Sequence, residues 1–219
     1  MKKARWATFD CYGTLIDWER GITDTLAGMW PKADAATLME RYHEIEPVVQ
    51  QGSATSYRDV LAEVLRRIAS KEGLDLHDDG ALAASLPEWP PFAEVPDELR
   101  EVRKRGWRLA ILSNTDPDLL DASIKRLDVE IDARITVVEA GSYKPAHGHW
   151  EQFFASTEAD PAGHAHVAAS LFHDIAPACK LGLRSVWINR KDETTDLEPS
   201  AVLPTLAGLA DALDALVVA

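Results

Sequence analysis

Short apolar runs that end on a polar residue, alternating with amphipathic helical segments, constrain this chain more than any other feature. Ala4 to Phe9 reads as a strand running into Asp10, and Arg108 to Leu112 as a strand running into Ser113 and Asn114. Arg134 to Val138 reads as a strand followed by Tyr143-Lys144-Pro145, and His166 to Ala169 as one followed by Asp174. Ser185 to Ile188 is a further strand. Helical segments are expected between them at Asp97–Arg105, Pro117–Leu127, Trp150–Ser156 and Ala176–Leu181, with an amphipathic tail helix from Leu203. Alternation of this kind builds a parallel sheet covered on both faces, so the expected class is α/β. In such sheets functional groups gather beyond the carboxyl ends of the strands. Asp10, Ser113, Lys144 and Asp174 would then converge from four separate segments.

One stretch breaks the alternation. From Asp17 to about Glu72 the pattern is helical, with Leu38, Arg41, Tyr42 and Ile45 on one face. The segment Ser56 to Gly73 is a second amphipathic helix, capped by Ser56 or Thr55 and stopped by Gly73. A short helix is expected around Gly80 to Leu86. Pro87 to Pro96 holds four prolines and reads as an extended connector returning from an inserted helical domain.

Composition excludes several classes. The 219 residues are 46% hydrophobic and 27% charged, which is globular. A net charge of -13 argues against a nucleic-acid or anionic-membrane partner, since either needs a basic surface. No apolar run approaches the ~18 residues of a membrane span. Two distant cysteines, Cys11 and Cys179, and no leader-like apolar run point to a reducing cytoplasm. The seven histidines have no zinc-site spacing, and neither a metal nor another cofactor is expected.

A carboxylate held in place and partly desolvated can act as a nucleophile, forming an ester that water then attacks. Lys144 beside Asp10 would keep it ionised, and Thr14 and Ser113 can donate hydrogen bonds to it or to a substrate. Backbone N–H groups of the Tyr12-Gly13-Thr14 turn can form an oxyanion pocket. Each residue also has a plain structural reading. Asp10 can cap a helix, Thr14 and Ser113 can close turns, Lys144 can lie on the surface, and Trp150 and His173 can be core residues.

Taken together, "FDCYGTLID", "ILSNT", "YKP" and the "HD" before "GLRSVWINR" resemble the haloacid dehalogenase superfamily, in the right order over nearly the whole chain. The nearest subgroup is the type II L-2-haloacid dehalogenases. The resemblance implies a Rossmann-like core over 1–15 and 93–219 and a helical cap over 16–92. It implies Asp10 as nucleophile, with Thr14, Ser113, Lys144 and Asp174 as its catalytic company. It places substrate contacts at Tyr12, Arg41, Asn114 and Trp150. The implied substrate is a small carboxylate, an (S)-2-haloacid. Dimers are common among these relatives, so a homodimer is compatible.

Superfamily phosphatases carry an acid two positions after the nucleophile, and here that residue is Tyr12. Their usual metal-ligand acid in the last motif corresponds to Ser170. Both differences favour a metal-free reaction. The type II pattern is altered as well: its Ser and Asn are Ala169 and Leu171, a tyrosine is Trp150, and His173 precedes Asp174. His173 is accordingly a candidate to take the proton from water. The competing readings are a phosphatase needing Mg²⁺ and a non-catalytic binding protein with the same fold.

Overall fold

The computed structural model describes residues 4–50 and 56–217. The chain divides into two compact units. The first comprises the chain to Ile16, Pro91–Asn114, and everything from Ile124 onward. The second comprises Asp17–Pro90 and Thr115–Ser123.

The first unit is built on a parallel sheet. Among the described residues it has six strands: β1 (Arg5–Phe9), β2 (Trp107–Ser113), β3 (Ala133–Thr136), β4 (His164–Ala168), β5 (Ser185–Ile188) and β6 (Ala201–Leu203). Their order is β3-β2-β1-β4-β5-β6. β1 is central, and Trp6, Ala7, Thr8 and Phe9 are all buried, as expected of a strand covered on both faces. The chain leaves β1 for β2 and β3 on one side, then crosses to β4 on the other. That reversal opens a crevice beyond the carboxyl ends of β1 and β4, where α/β sheets bind ligands. One face of the sheet packs Trp6, Ala110, Leu112 and Ile135 against Trp150 and Phe153 of the helix Gly148–Thr157.

Three elements differ from the sequence expectation. The strand expected to reach Val138 stops at Thr136, and Val137–Ala140 forms one helical turn. Thr136 and Glu139 form a capping box there, which outweighs the β preference of the two valines. β6 lies where the tail helix was expected to begin, and that helix spans Leu209–Leu216. The proline-rich connector holds a 3₁₀ turn at Leu86–Glu88 and gives way to a helix at Val95. Pro96 falls in that helix's first turn, where a missing N–H costs nothing.

The second unit is helical: Trp18–Met29, Ala35–Gln50, Tyr57–Glu72 and Ala81–Ser85, with the start of Pro117–Leu127. The helix Tyr57–Glu72 buries Val60, Leu61, Val64, Leu65 and Ile68 on one stripe. Ser56 caps its amino end, and the other cap candidate, Thr55, lies outside the described residues. The Asp116 carboxylate accepts the N–H groups of Tyr57 (3.1 Å) and Arg58 (3.0 Å) at the same end. Gly73 closes the helix in the left-handed conformation, φ 66°. Among the described residues no helix is long and apolar enough to cross a membrane.

Candidate active site

Asp10 follows the last residue of β1, and its N–H still donates to Val167 in β4 (3.1 Å). The next turn is tight. The Gly13 N–H donates to the Ile16 carbonyl (2.8 Å), and the N–H groups of Leu15 and Ile16 both reach the Cys11 carbonyl. Gly13 has φ 91°, open to glycine and strained for other residues. Because its N–H is taken by Ile16, the oxyanion pocket expected from this turn lacks that donor.

The Asp10 carboxylate is 8% exposed and held at both oxygens. Thr14 Oγ1–H donates to Oδ2 at 2.8 Å, and Lys144 Nζ donates to Oδ1 at 2.9 Å. Thr14 Oγ1 also accepts the Ala169 N–H (2.9 Å), which ties the turn to the loop after β4. Lys144 is 2% exposed. Its other two protons go to the Leu112 carbonyl (2.9 Å) and Asp174 Oδ1 (2.7 Å). An ammonium has three donors, and all three are used. Lys144 is therefore a fixed charge rather than a proton donor. Burial alone would push its pKa down, but Asp10 and Asp174 outweigh that and hold it above the ordinary lysine value.

Asp174 is fully buried in a single π-helical turn, Leu171–Ile175. Burial would raise its pKa, but Lys144 and His166 hold it well below the carboxylate range. Its Oδ1 accepts from Lys144 and from His166 Nε2 (3.0 Å), and its Oδ2 has no partner among the described residues. The same turn places His173 beside Ser170. The His173 N–H donates to Ser170 Oγ (3.0 Å), and its Nδ1 lies 3.2 Å from that oxygen. Burial is the main influence lowering the His173 pKa, with Asp174 opposing it, so the ring is neutral at neutral pH.

The other expected residues divide. Ser113 ends β2, is buried, and its Oγ has no partner among the described residues, which leaves a hydroxyl free to donate. Asn114 clamps the Lys144 backbone, accepting its N–H (2.6 Å) and donating to its carbonyl (3.1 Å). The carboxamide thereby orients the lysine-bearing backbone. Trp150 is 1% exposed within the core cluster, with its ring edge-on to His166 at 5.2 Å. A substrate contact needs an open face, and Trp150 has none, so it is a packing residue here. Arg41 belongs to the second unit, where Glu72 (2.6 Å) and Glu44 (3.2 Å) hold its guanidinium. Tyr12 is half-buried in the turn and bridges to Ile16.

Several residues of this site were not singled out from the sequence. His166 and Thr8 stand behind Asp174 inside the sheet. His149 Nε2–H donates to the Ser113 carbonyl (3.1 Å), and burial lowers its pKa to about 4, so it too is neutral. Arg190 donates to the Thr14 carbonyl (2.9 Å) and pairs with Glu94 (2.8 Å), bracing the turn after Asp10. For Thr8 and His166 the signal was a polar residue inside a buried strand. Cys11, next to Asp10, is fully buried. Burial and the Asp10 charge push its thiol pKa up, so it is no competing nucleophile.

Magnesium in this fold would need several hard oxygen ligands. Asp10 and Asp174 both face the Lys144 ammonium, and Ser170 Oγ is engaged by His173. No cluster of three or more His, Cys, Asp or Glu able to hold a metal occurs among the described residues. This donor set does not fit the ion.

Comparison with known proteins gives concordant results. The family described as haloacid dehalogenase-like hydrolase matches residues 4–167. The (S)-2-haloacid dehalogenase of Pseudomonas sp. (strain YL) is 27% identical, over 87% of this chain and 84% of the relative. Haloacetate dehalogenase H-2 of Moraxella sp. (strain B) is 29% identical, over 87% and 88%. Among solved structures, the L-2-haloacid dehalogenase from Xanthobacter autotrophicus with chloropropionic acid covalently bound superposes with a TM-score of 0.82. It is 20% identical and covers 95% of this chain and 97% of its own.

Proposed function

The chain belongs to the haloacid dehalogenase-like hydrolase family, and from that premise we propose that it is a metal-independent (S)-2-haloacid dehalogenase, or a close relative acting on a small carboxylate. The observation that carries the reading is the Asp10–Lys144–Asp174 cluster. It presents the Asp10 carboxylate at the end of β1, fixed by a lysine with no free proton. An Asp10 oxygen attacks the carbon bearing the halogen. The carbon–oxygen bond forms as the carbon–halogen bond breaks, and the halide leaves with the electron pair. No acid is needed for that departure, which fits Tyr12 at the position where a phosphatase carries its proton donor. Water then attacks the ester carbonyl, releasing the 2-hydroxy acid and restoring the Asp10 carboxylate.

The second step needs a base. With Nδ1–H donating to Ser170 Oγ, His173 presents a free Nε2, and its neutrality suits it to accept the proton from water. His173→Ala should slow ester hydrolysis about 10²-fold and let the Asp10 ester accumulate, which mass spectrometry of acid-quenched protein reads. Unchanged turnover and no accumulated adduct would remove His173 from the mechanism.

The function as a whole is tested by a panel of short 2-halocarboxylates, with halide measured in the presence and absence of EDTA. Halide release that ignores the chelator is the expected outcome. Robust phosphate release from phosphate esters that depends on Mg²⁺, with no halide from any panel member, would replace this reading with a phosphatase.

A further inference from the structure

Behind the reacting carboxylate, inside the sheet, runs a row of polar side chains that the chemistry above does not use. In the parallel register Thr8 lies beside His166, and Trp6 beside His164. Thr8, His164 and His166 therefore project from the same face of the sheet. All three are 0% exposed. Thr8 Oγ1 is 2.8 Å from His164 Nε2 and 2.8 Å from His166 Nδ1, and His166 Nε2 is 3.0 Å from Asp174 Oδ1. Aromatic rings wall the row: Trp150 edge-on to His166, and Phe153 (5.4 Å) and Phe154 (5.1 Å) against His164.

We infer that His166, held by Thr8, is a positioning residue: it locks the Asp174 carboxylate so that Lys144 is aimed at Asp10. The inference rests on Asp10 being the nucleophile.

The direction of the hydrogen bonds can be worked out. Lys144 donates all three protons and Asp174 is ionised, so Asp174 only accepts, and His166 Nε2–H must be the donor. His164 Nδ1, at the far end, has no partner among the described residues. Buried donors without partners are rarer than buried acceptors. The row therefore runs from His164 Nε2–H to Thr8 Oγ1, from Thr8 Oγ1–H to His166 Nδ1, and from His166 Nε2–H to Asp174. It ends at a buried nitrogen with no outlet, so it orients Asp174 and does not carry protons away.

The need for such a lock follows from the local backbone. Asp174 stands on a π-helical turn held to the Ser170 carbonyl by the N–H groups of Asp174 (3.3 Å) and Ile175 (3.1 Å). Wide turns of this kind recur at functional sites. Lys144 alone fills one acceptor direction of Asp174 Oδ1. His166, mounted on the rigid central sheet, fills a second on the same oxygen, so that the carboxylate can no longer swing about the lysine contact.

The test compares His166→Leu, which removes the donor, with His166→Gln, whose amide N–H can replace Nε2–H. His166→Leu should lower kcat about 10–100-fold, the range seen when a group that orients a catalytic partner is lost, with KM changed far less. His166→Gln should recover most of that loss. A His166→Leu enzyme with parental kcat, or a His166→Gln enzyme as slow as the leucine variant, would overturn the assignment. A second arm needs no substrate. Nitrogen NMR of ¹⁵N-histidine-labelled protein should show a ring protonated at Nε2 with an accepting Nδ1. Its signal should vanish in His166→Leu and shift in Asp174→Asn. A His166 ring protonated only at Nδ1 would refute the lock. Absence of halide release from the parent protein would count against the functional reading, while the NMR arm still decides this one.

Discussion

Asp10→Asn should abolish turnover of a 2-halocarboxylate, a loss of about 10⁴-fold or more, as expected when a covalent nucleophile is removed. An amide has the shape of the carboxylate but not its negative charge, and it is a poor nucleophile at carbon. The fold should survive the change. An asparagine oxygen can still accept from Lys144 Nζ, and Lys144 keeps Asp174 and the Leu112 carbonyl. The thermal midpoint should therefore fall little while the rate collapses, which separates a chemical role from a structural one. In the parent protein, rapid quenching during turnover should give a mass adduct on the peptide containing Asp10, absent from the variant. Activity within tenfold of the parent would mean that another group attacks the substrate.

The second large effect concerns stability. Lys144→Met removes the cation between two carboxylates and leaves both in a site whose other partners were set by the ammonium. Breaking a buried ion pair from one side costs about 3–5 kcal/mol. Denaturant unfolding should show that loss near neutral pH, together with loss of turnover. Its pH dependence has a definite sign. The Asp174 pKa is depressed in the parent, so its contribution to stability is present above the ordinary aspartate value of 3.8 and is lost as pH falls through the folded value. In the variant that contribution is gone at neutral pH. Acidification neutralises the facing carboxylates and relieves their repulsion. The gap between variant and parent should therefore narrow as pH drops from about 7 toward about 4. A gap that widened toward acid would show that Lys144 does not stabilise the two aspartates.

Much of this was legible because period and punctuation agree. Apolar runs closed by polar residues located the strands whose exits carry Asp10, Ser113 and Asp174, and Gly73 marked a helix end. What escaped notice was signalled more weakly. β6 is a three-residue edge strand between Pro199 and Pro204, too short for a period to appear. The helical turn after β3 had a readable cue, the Thr136–Glu139 spacing, but Val137 and Val138 hid it. Thr8 and His166 sit on separate strands, and only the pairing of β1 with β4 brings them together. No local pattern contains a hydrogen bond between residues 158 positions apart. The surroundings of Asn114 and Trp150 were hidden for a related reason. The motif identifies the residue but not the direction in which a packed helix or a neighbouring backbone turns it.

The central place of β1 also has a consequence for how the chain is made. Its neighbours on both sides are strands that follow much later in the sequence, so the strand leading into Asp10 is the first to be synthesised and waits for its second neighbour until β4. At about 5–20 residues per second, the 158 residues separating Thr8 from His166 represent about 8–30 s of synthesis. Until β2 emerges both edges of the strand holding Trp6 and Phe9 are open, and the edge that β4 covers stays open for the whole interval, the kind of segment that invites non-native association. The active centre can therefore close only after β4 has emerged. A chain cut short before that point would carry Asp10 without Asp174 and His166 behind it.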